Sequence, residues 1–350
     1  SQLWNDTLAR PFRINELAGD FTFAYSTFHD FYSTYQGGIH NLDTLVKNLA
    51  NVDTMKIYTD YPDFMDTANY DFTISEGNPL LTAGSDGGPV GDPRWVSYEK
   101  PWEPGPHCHL IPNTQADTLE HFLELHYGTL WQPGDTIVLV SNGEYIANGT
   151  MDIYQEVTIM GDPRLNQPPL IKLYDNGFRP KEDTIHITIK GLRFDGYNDN
   201  PADPKYAGFV LRFKTGSTYW KNIIIEDIEA WNMQGILDLD ENKHSVYDTI
   251  ILNNIVAHDF VGTQFLLDPN INYAKNISIT NSTFYNIPGG IIANPDWNGN
   301  GILDIEKNWL IDHNTFYNVV GDGNRALVQI NDPNDGSVNF MFTNNIVSQL

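Results

Sequence analysis

KNIIIEDIEAWN, residues 221–232, returns four more times before the chain ends. The copies are DTIILNNIVAHD from Asp248, KNISITNSTFYN from Lys275, KNWLIDHNTFYN from Lys307 and, more loosely, VNFMFTNNIVS from Val338. Their second residues are 27, 27, 32 and 31 positions apart. Self-similarity at such a period marks a solenoid. Inside each copy the apolar residues alternate (Ile223 and Ile225, Ile250 and Leu252, Ile277 and Ile279, Trp309 and Ile311), which is the period of a strand. A polar residue then interrupts it: Asp227, Asn254, Asn281, His313 or Asn344. A second short strand follows, as in Thr283-Phe284-Tyr285 and Thr315-Phe316-Tyr317. Strand, polar corner, strand and longer loop make one rung of a right-handed parallel β-helix. The expected class is all-β.

Upstream, ADTLEHFLELHYG pairs Asp117 with Glu120 in a capping-box arrangement before Leu119, Phe122 and Leu123. A short capping helix is expected near residues 115–127, plugging the apolar end of the solenoid. Strands follow around a turn at Asn142-Gly143, and HITIKGLRFDGY is the first clear rung. The Pro-rich stretch 98–106 reads as a linker, and residues 107–350 as capping helix and main coils.

Residues 1–97 begin inside strand-like sequence and close with a Gly-, Pro- and Asp-rich terminal coil. Ser1-Gln2-Leu3 repeats Ser348-Gln349-Leu350, and superposing the two reads through as one rung, NFMFTNNIVSQLWNDTLARPF. The expectation is one period of a longer repetitive polymer, with residues 1–97 forming C-terminal coils and cap that continue from residue 350 of a preceding copy. A circular permutation, or a neighbouring subunit completing each coil, predicts the same pattern.

With 45 acidic against 20 basic residues, the net charge is −25. That excludes a nucleic-acid partner, which needs clustered Lys and Arg, and disfavours anionic membrane surfaces. No apolar run is long enough to insert in a membrane. Cys108 is the one cysteine, so an intrachain disulfide is excluded, whereas a crosslink between copies is not.

The helix-and-strand opening HLIPNTQADTLEHFLELHYGTLWQPGDTIVLVSNGEY, the phrase TIKGLRFDG and the NxSxTNSTFYN rungs resemble the pectate-lyase-like β-helix superfamily. The closing NPLLTAGSDGGPVGDPRW is similar to terminal coils of secreted repetitive β-helix modules of Bacteroidota. This resemblance implies an extracellular or cell-surface location. Asp-Thr before a small or aliphatic residue, centred on Thr7, Thr44, Thr54, Thr67, Thr118, Thr136, Thr184 and Thr249, is similar to the O-glycosylation sequon of that phylum. The same dipeptide is also an ordinary way for a turn to enter a strand. N-glycosylation sequons also occur at Asn5, Asn148, Asn276 and Asn281, of which Asn276 and Asn281 fall on rung positions, where ladder bonding is expected.

Asp296, Asn298, Asn300, Ile302 and Asp304, with Gly301 at the sixth position, match a calcium loop, although Lys307 stands where the bidentate acid belongs. The alternative reading is a polar turn. His107-Cys108-His109 offers two metal ligands, too few for a site. Asp238, Asp240, Glu241, Asp268, Asn270, Asn331, Asp332, Asn334 and Asp335 would stack into an acidic ridge, read either as a holder of divalent cations or, for most of them, as a solvated edge that deters aggregation. A lyase of the superfamily needs a base beside a uronate and a cation to neutralise it. Arg212, Lys214, Lys243, His244, His258 and His313 are the candidates, and no Lys–Arg pair shows the expected coil spacing. Two functions remain. One is a structural module of an extracellular filament, sheath or adhesin, partnered by copies of itself. The other is a polysaccharide lyase-like or carbohydrate-binding β-helix, with calcium as the one cofactor suggested.

Overall fold

The computed structural model describes residues 10–14, 21–29, 32–35, 38–41, 52–58, 64–66, 68, 71–74, 78–85, 90–91, 104–182, 184–196, 207–213, 219–239, 246–261, 267–268, 273–295, 307–320, 326–331 and 338–348. The strands of the two large sheets pair in parallel, coil on coil, and build a right-handed parallel β-helix, with Tyr32–Tyr35 and Gly38–Asn41, and Phe64–Asp66 and Asp71–Ile74, as two antiparallel pairs beside them. Each coil has three sides. Side B precedes the polar corner and side C follows it, often as one bent strand such as Tyr219–Trp231 or Val246–His258. Side A closes the coil in a separate eight-stranded sheet.

Coil 1 carries Asp135–Leu139, Glu144–Ala147 and Met151–Ile153; coil 2 carries Val157–Gly161, Leu170–Leu173 and Phe178–Pro180. HITIKGLRFDGY therefore lies in the third coil, Ile187–Asp195 with Ala207–Arg212, not the first. Coil 4 is Tyr219–Trp231 with Met233–Asp238, and coil 5 is Val246–His258 with Leu267–Asp268. Tyr273–Thr280, Thr283–Ile287 and Ile292–Pro295 form coil 6; Lys307–Asp312, Thr315–Val319 and Ala326–Asn331 form coil 7.

Val338–Thr343 and Ile346–Ser348 open coil 8, and its side A strand is Arg10–Ile14, paired with Ala326–Asn331. Phe21–His29 then lies on both coil 8 strands, and Val52–Tyr58 lies on Phe21–His29. Spatial order is thus permuted relative to chain order.

Alternation explains the core. Val157, Ile187, Ile223, Ile250, Ile277, Trp309 and Phe340 stack one above another inside the coil, each at most 2% exposed. Each such side chain contributes about 1.5–3 kcal/mol by leaving water. The five polar residues at the rung break all have left-handed φ near +55° (Asp227, Asn254, Asn281, His313, Asn344), and Gly191 does the same in coil 3. A one-residue bend needs positive φ, which Gly, Asn and Asp accept most readily. Asn232, Asp259, Asn286 and Asn318, the last residues of the four close copies, form a second left-handed corner between sides C and A.

Polar ladders tie the corners together. Asn254 donates to Asp227, Asn281 to Asn253 at 2.9 Å and Asn344 to Asp312 at 2.8 Å. At the second corner Asn286 donates to Asp259 and Asn318 to Asn286, each at 2.8 Å. Just past the first corner, Leu192, Ile228 and Ile255 of coils 3–5 give way to buried Ser282, Asn314 and Asn345 in coils 6–8.

Helix α1, Thr118–His126, buries Leu119 and Leu123 against the first coil. Its expected capping box does not form. Asp117 adopts φ 59° with no side-chain bond to the helix amides. Its carboxylate instead accepts the backbone N–H and side-chain Nδ2 of Asn148, both at 2.8 Å. Two donors from the first coil outcompete one helix amide, so the residue docks the helix rather than capping it.

Phe64, Phe72, Leu80 and Val90 form a second small core over the outer surface of side C, against Tyr285 and Ile346. Gly91 closes this flap with φ 105°, its N–H donating to the Asn344 carbonyl at 2.5 Å. A Cβ here would stand 2.9 Å from Ile346 Cδ1. Among the described residues, no helix is long and apolar enough to cross a membrane.

Candidate functional site

Side A carries the most concentrated charge pairing in the described residues of coils 1–4. In coil 1, Met151 and Ile153 are sealed in the core, so Asp152 between them must point outward. The same alternation turns Arg179 outward beside Phe178, Arg212 between Leu211 and Phe213, and Asp238 between Leu237 and Leu239. The register stacks them: Asp152 lies opposite Arg179, and Arg212 opposite Asp238. Because Phe178 pairs with Leu211, Arg179 and Arg212 occupy neighbouring strands.

Arg179 grips Asp152 with both arms of its guanidinium, Nε to Oδ1 at 2.6 Å and Nη2 to Oδ2 at 2.9 Å. Lys181 Nζ lies 3.4 Å from the same carboxylate. The bond to Asp152 holds the Arg179 proton more tightly than usual, burial opposing it. Arg212 Nε lies 2.6 Å from Asp238 Oδ2, and its Nη1 donates to Asn176 Oδ1 at 3.4 Å. Asn176 is pressed against Gly208, where a Cβ would fall 2.0 Å from Asn176 Oδ1. Glycine is required there for the side chain to reach Arg212.

The carboxylates lie beneath and the cations lie outside. Asp152 and Asp238 are 7% and 5% exposed, whereas the side chains of Arg179, Lys181 and Arg212 show 32%, 30% and 24% of their surface. Tyr154 completes the patch, its hydroxyl 3.5 Å from Asp152 Oδ2 and its ring stacked on exposed Tyr127 with centroids 4.5 Å apart. Burial, then the charges of Asp152 and Glu124, push the Tyr154 phenol up. Chemically the patch offers cations with fixed bases and an aromatic face, an arrangement suited to a planar anion on a ring.

Asp238 thus departs from the expected solvated ridge: it is buried and ion-paired, because sheet alternation sets it under Arg212. Asp268 lies in register with Asp238. Asp240, Glu241, Asn270, Asp332, Asn334, Asp335, Lys214, Lys243 and His244 fall outside the described residues. His258 and His313 do not join Arg212. His258 lies on the outer surface of side C, sandwiched between Trp231 (centroids 5.7 Å apart) and Tyr285 (4.7 Å). Its Nδ1 is 2.8 Å from Asp259 and its Nε2 3.5 Å from Glu229. Burial lowers its pKa, but the bonds to Asp259 and Glu229 outweigh that and raise it overall. His313 bends the corner of coil 7 and pairs with Asp312 at 2.8 Å.

His107 and His109 both turn to Asp135, at 3.3 and 2.8 Å, and so clip the entering strand Cys108–Ile111 to coil 1. Among the described residues, no group of three or more His, Cys, Asp or Glu is placed to hold a metal ion. The calcium-loop residues Asp296, Asn298, Asn300, Ile302 and Asp304 lie outside the described residues. So do Thr7, Thr44 and Thr67 of the glycosylation set, and Asn5. Thr54 and Thr249 fall on strands, half-buried Thr136 likewise, and Thr118 donates to the Gln115 carbonyl at 2.7 Å. Thr184 is exposed, in a turn with φ 60°. Asn276 and Asn281 make the expected ladder bonds, to the Asp248 carbonyl and to Asn253.

Asp152, Arg179 and Lys181 escaped the sequence reading. Asp152 and Arg179 sit on three-residue strands outside the repeated phrase, Lys181 just past the end of one, and the ladder members Asp152, Arg179, Arg212 and Asp238 are 27, 33 and 26 residues apart. The usable signal was a single charge flanked by apolar residues, as in MDI and LDL.

Fold and face together define a right-handed parallel β-helix with a charged outer ladder on one side. The model of a domain of unknown function, DUF4957, matches residues 143–287, a span that holds Asp152, Arg179, Lys181, Arg212 and Asp238. No curated protein matches the chain. Among solved structures, the chain resembles the PL6-family alginate lyase AlyGC, with 13% sequence identity and a TM-score of 0.45. The likeness covers 93% of this chain and 53% of the lyase, so the chain spans about half the length of that protein.

Proposed function

We propose that the chain is an extracellular carbohydrate-binding β-helix that holds an acidic, uronate-type polysaccharide along side A. The observation that carries this reading is the layering of charge. In a chain of net charge −25, the partly exposed side chains of Arg179, Lys181 and Arg212 lie over two buried carboxylates. Neighbouring strands are ~4.8 Å apart, comparable to the length of a sugar ring, so carboxylates on successive sugars meet cations on successive coils. Tyr127 offers an exposed ring for the apolar face of a sugar.

The reading is binding rather than cleavage. Tyr154, whose hydroxyl lies 3.5 Å from Asp152 Oδ2, carries less phenolate near neutral pH than a free phenol, because burial raises its pKa. Calcium held by Asp296, Asn298, Asn300, Ile302 and Asp304 belongs to the same proposal, as an aid to gathering polyanions on an acidic chain. Calcium is expected to raise the melting temperature and a chelator to reverse it; identical melts with and without the ion would remove the metal from the proposal.

The test is calorimetric titration with oligogalacturonate, oligoalginate and a neutral oligosaccharide, alongside ultraviolet detection of unsaturated sugars. Binding of the acidic oligomers alone is expected, with no unsaturated product. The double variant Arg179→Gln, Lys181→Gln should weaken it by roughly tenfold or more. Equal affinity for the neutral sugar, or none for either acidic one, would sink the proposal; steady release of unsaturated product would replace binding with lyase chemistry.

A further inference from the structure

Side A changes sign along the solenoid axis, and the change falls at coil 1. Over coils 2 and 3 stand Arg179, Lys181 and Arg212, their side chains 24–32% exposed. With Asp152 and Asp238 beneath them, three cations face two carboxylates, an excess of one positive charge.

The coil 1 strand, Met151–Ile153, carries no basic residue, and helix α1 borders it with acids. Glu124 Oε1 accepts the Asp152 N–H at 3.4 Å, which sets this half-buried glutamate at the edge of side A. The donor is a neutral amide, so the carboxylate keeps its charge. One helical turn earlier, Glu120 Oε1 stands 3.3 Å from the position a Cβ on Gly149 would take, over the turn leading into the same strand. Burial first, then the charges of Asp117 and Glu124, hold the Glu120 proton more tightly than usual, with His121 acting against them. Glu124 also helps raise the Tyr154 phenol, after burial and Asp152.

Two tyrosines floor this acidic end. Tyr154 covers one face of the Tyr127 ring, with centroids 4.5 Å apart and planes 17° apart, yet Tyr127 remains 43% exposed. An aromatic ring attracts the apolar C–H face of a sugar whether or not the sugar is charged. A carboxylate on that sugar would meet Glu124. Like charges ~7 Å apart in a partly solvated site weaken binding by roughly threefold to tenfold at low salt. A hydroxyl carries no such penalty and can donate to Glu124.

We infer that the subsite of Tyr127, Tyr154 and Glu124 takes a neutral sugar, joined to the uronates that lie over coils 2 and 3. The ligand is therefore a mixed acidic glycan with an uncharged residue at its coil 1 end. This rests on the reading of side A as a glycan face and adds the order of residues along it. A uniform polyuronate sets a carboxylate against α1, whereas the mixed chain keeps the ring contact without the repulsion.

The probes are trigalacturonate and its two single methyl esters, one esterified at each terminal residue, titrated calorimetrically at about 20 and about 300 mM salt. One ester is expected to bind threefold to tenfold more tightly than the free acid, roughly, at the lower salt, with the gap falling below about twofold at the higher. The other ester, which removes a carboxylate from over the cations, should bind more weakly than the acid. Glu124→Gln keeps the oxygen that accepts the Asp152 N–H and should bring the free acid level with the better ester. A free acid that binds as tightly as both esters would overturn the neutral subsite and leave side A a glycan face. So would a gap that survives Glu124→Gln, or one that high salt leaves unchanged, a measurement that needs no variant. No binding by acid or ester alike would remove the glycan reading itself, and this inference with it.

Discussion

Asn314 is the polar residue on which coils 6–8 depend most, and Asn314→Leu tests that directly. Its side chain is fully buried, with Nδ2 donating to the Ile279 carbonyl at 2.9 Å and to the Asp312 carbonyl and Asn345 Oδ1 at 3.0 Å. Its Oδ1 accepts the Ser282 N–H at 3.0 Å. Leucine keeps the branched shape but strands the Ser282 amide and deprives the Ile279 carbonyl of a donor, while the Asp312 carbonyl keeps the Asn281 N–H at 3.2 Å. Asn345 Oδ1 retains the Asn314 backbone N–H at 2.9 Å, so that group is not orphaned. One lost amide partner costs about 1–3 kcal/mol and the under-satisfied carbonyl about 1, so the expected loss is about 2–4 kcal/mol. Asn308→Ala is the control. Asn308 is an exposed ladder asparagine bonded to Asn276 at 3.5 Å and Asn339 at 3.0 Å, and its loss should stay within about 0.5 kcal/mol. Urea unfolding followed by tryptophan fluorescence suits both, since Trp309 lies in the same coil and is buried. A loss under about 1 kcal/mol for Asn314→Leu would refute the reasoning. Coils 6–8 would then tolerate an apolar residue there as coils 3–5 tolerate Leu192, Ile228 and Ile255.

Gly161→Ala should be among the most damaging small substitutions, because its Cβ would stand 2.1 Å from the Gly191 carbonyl oxygen, a backbone atom that cannot step aside. A loss of about 3 kcal/mol or more is expected in a thermal melt, against about 1 for Gly134→Ala, which has φ 87° but open space; parity between the two would be the contrary result. His258 has its folded pKa raised by Asp259 and Glu229 against the pull of burial, so its stabilisation is present below the ordinary imidazole value of about 6.5 and fades as pH rises through the folded value. Wild type should therefore lose melting temperature as pH rises above about 6.5 that His258→Gln does not lose, and parallel profiles for the two would count against the assignment.

Much of this architecture was legible because a solenoid writes its tertiary contacts into its period. Ile223 meets Ile250 in space for the same reason that it precedes it by one repeat, so alternation plus spacing reveals both the strand and its neighbour. The first corner was legible too, since Asp227, Asn254, Asn281, His313 and Asn344 each interrupt an apolar run where the backbone needs positive φ. The second corner lay at the end of the four close copies, in Asn232, Asp259, Asn286 and Asn318, but the side A strands beyond it begin at irregular distances, so no period marked the break.

What the chain alone determined is the coil: a strand period of two, a rung of roughly thirty residues, and polar residues where the backbone must turn left-handed. These are local demands, met by nearest neighbours along the helix axis. Only the tertiary structure decided the rest. Asp152, Arg179, Arg212 and Asp238 come together through irregular loop lengths that no period records, and Asp117 leaves its helix because Asn148 of another turn offers two donors. Arg10–Ile14 and Phe21–His29 fall beside residues 326–348 because parallel pairing accepts any strand of the right length and apolar face, however distant in sequence.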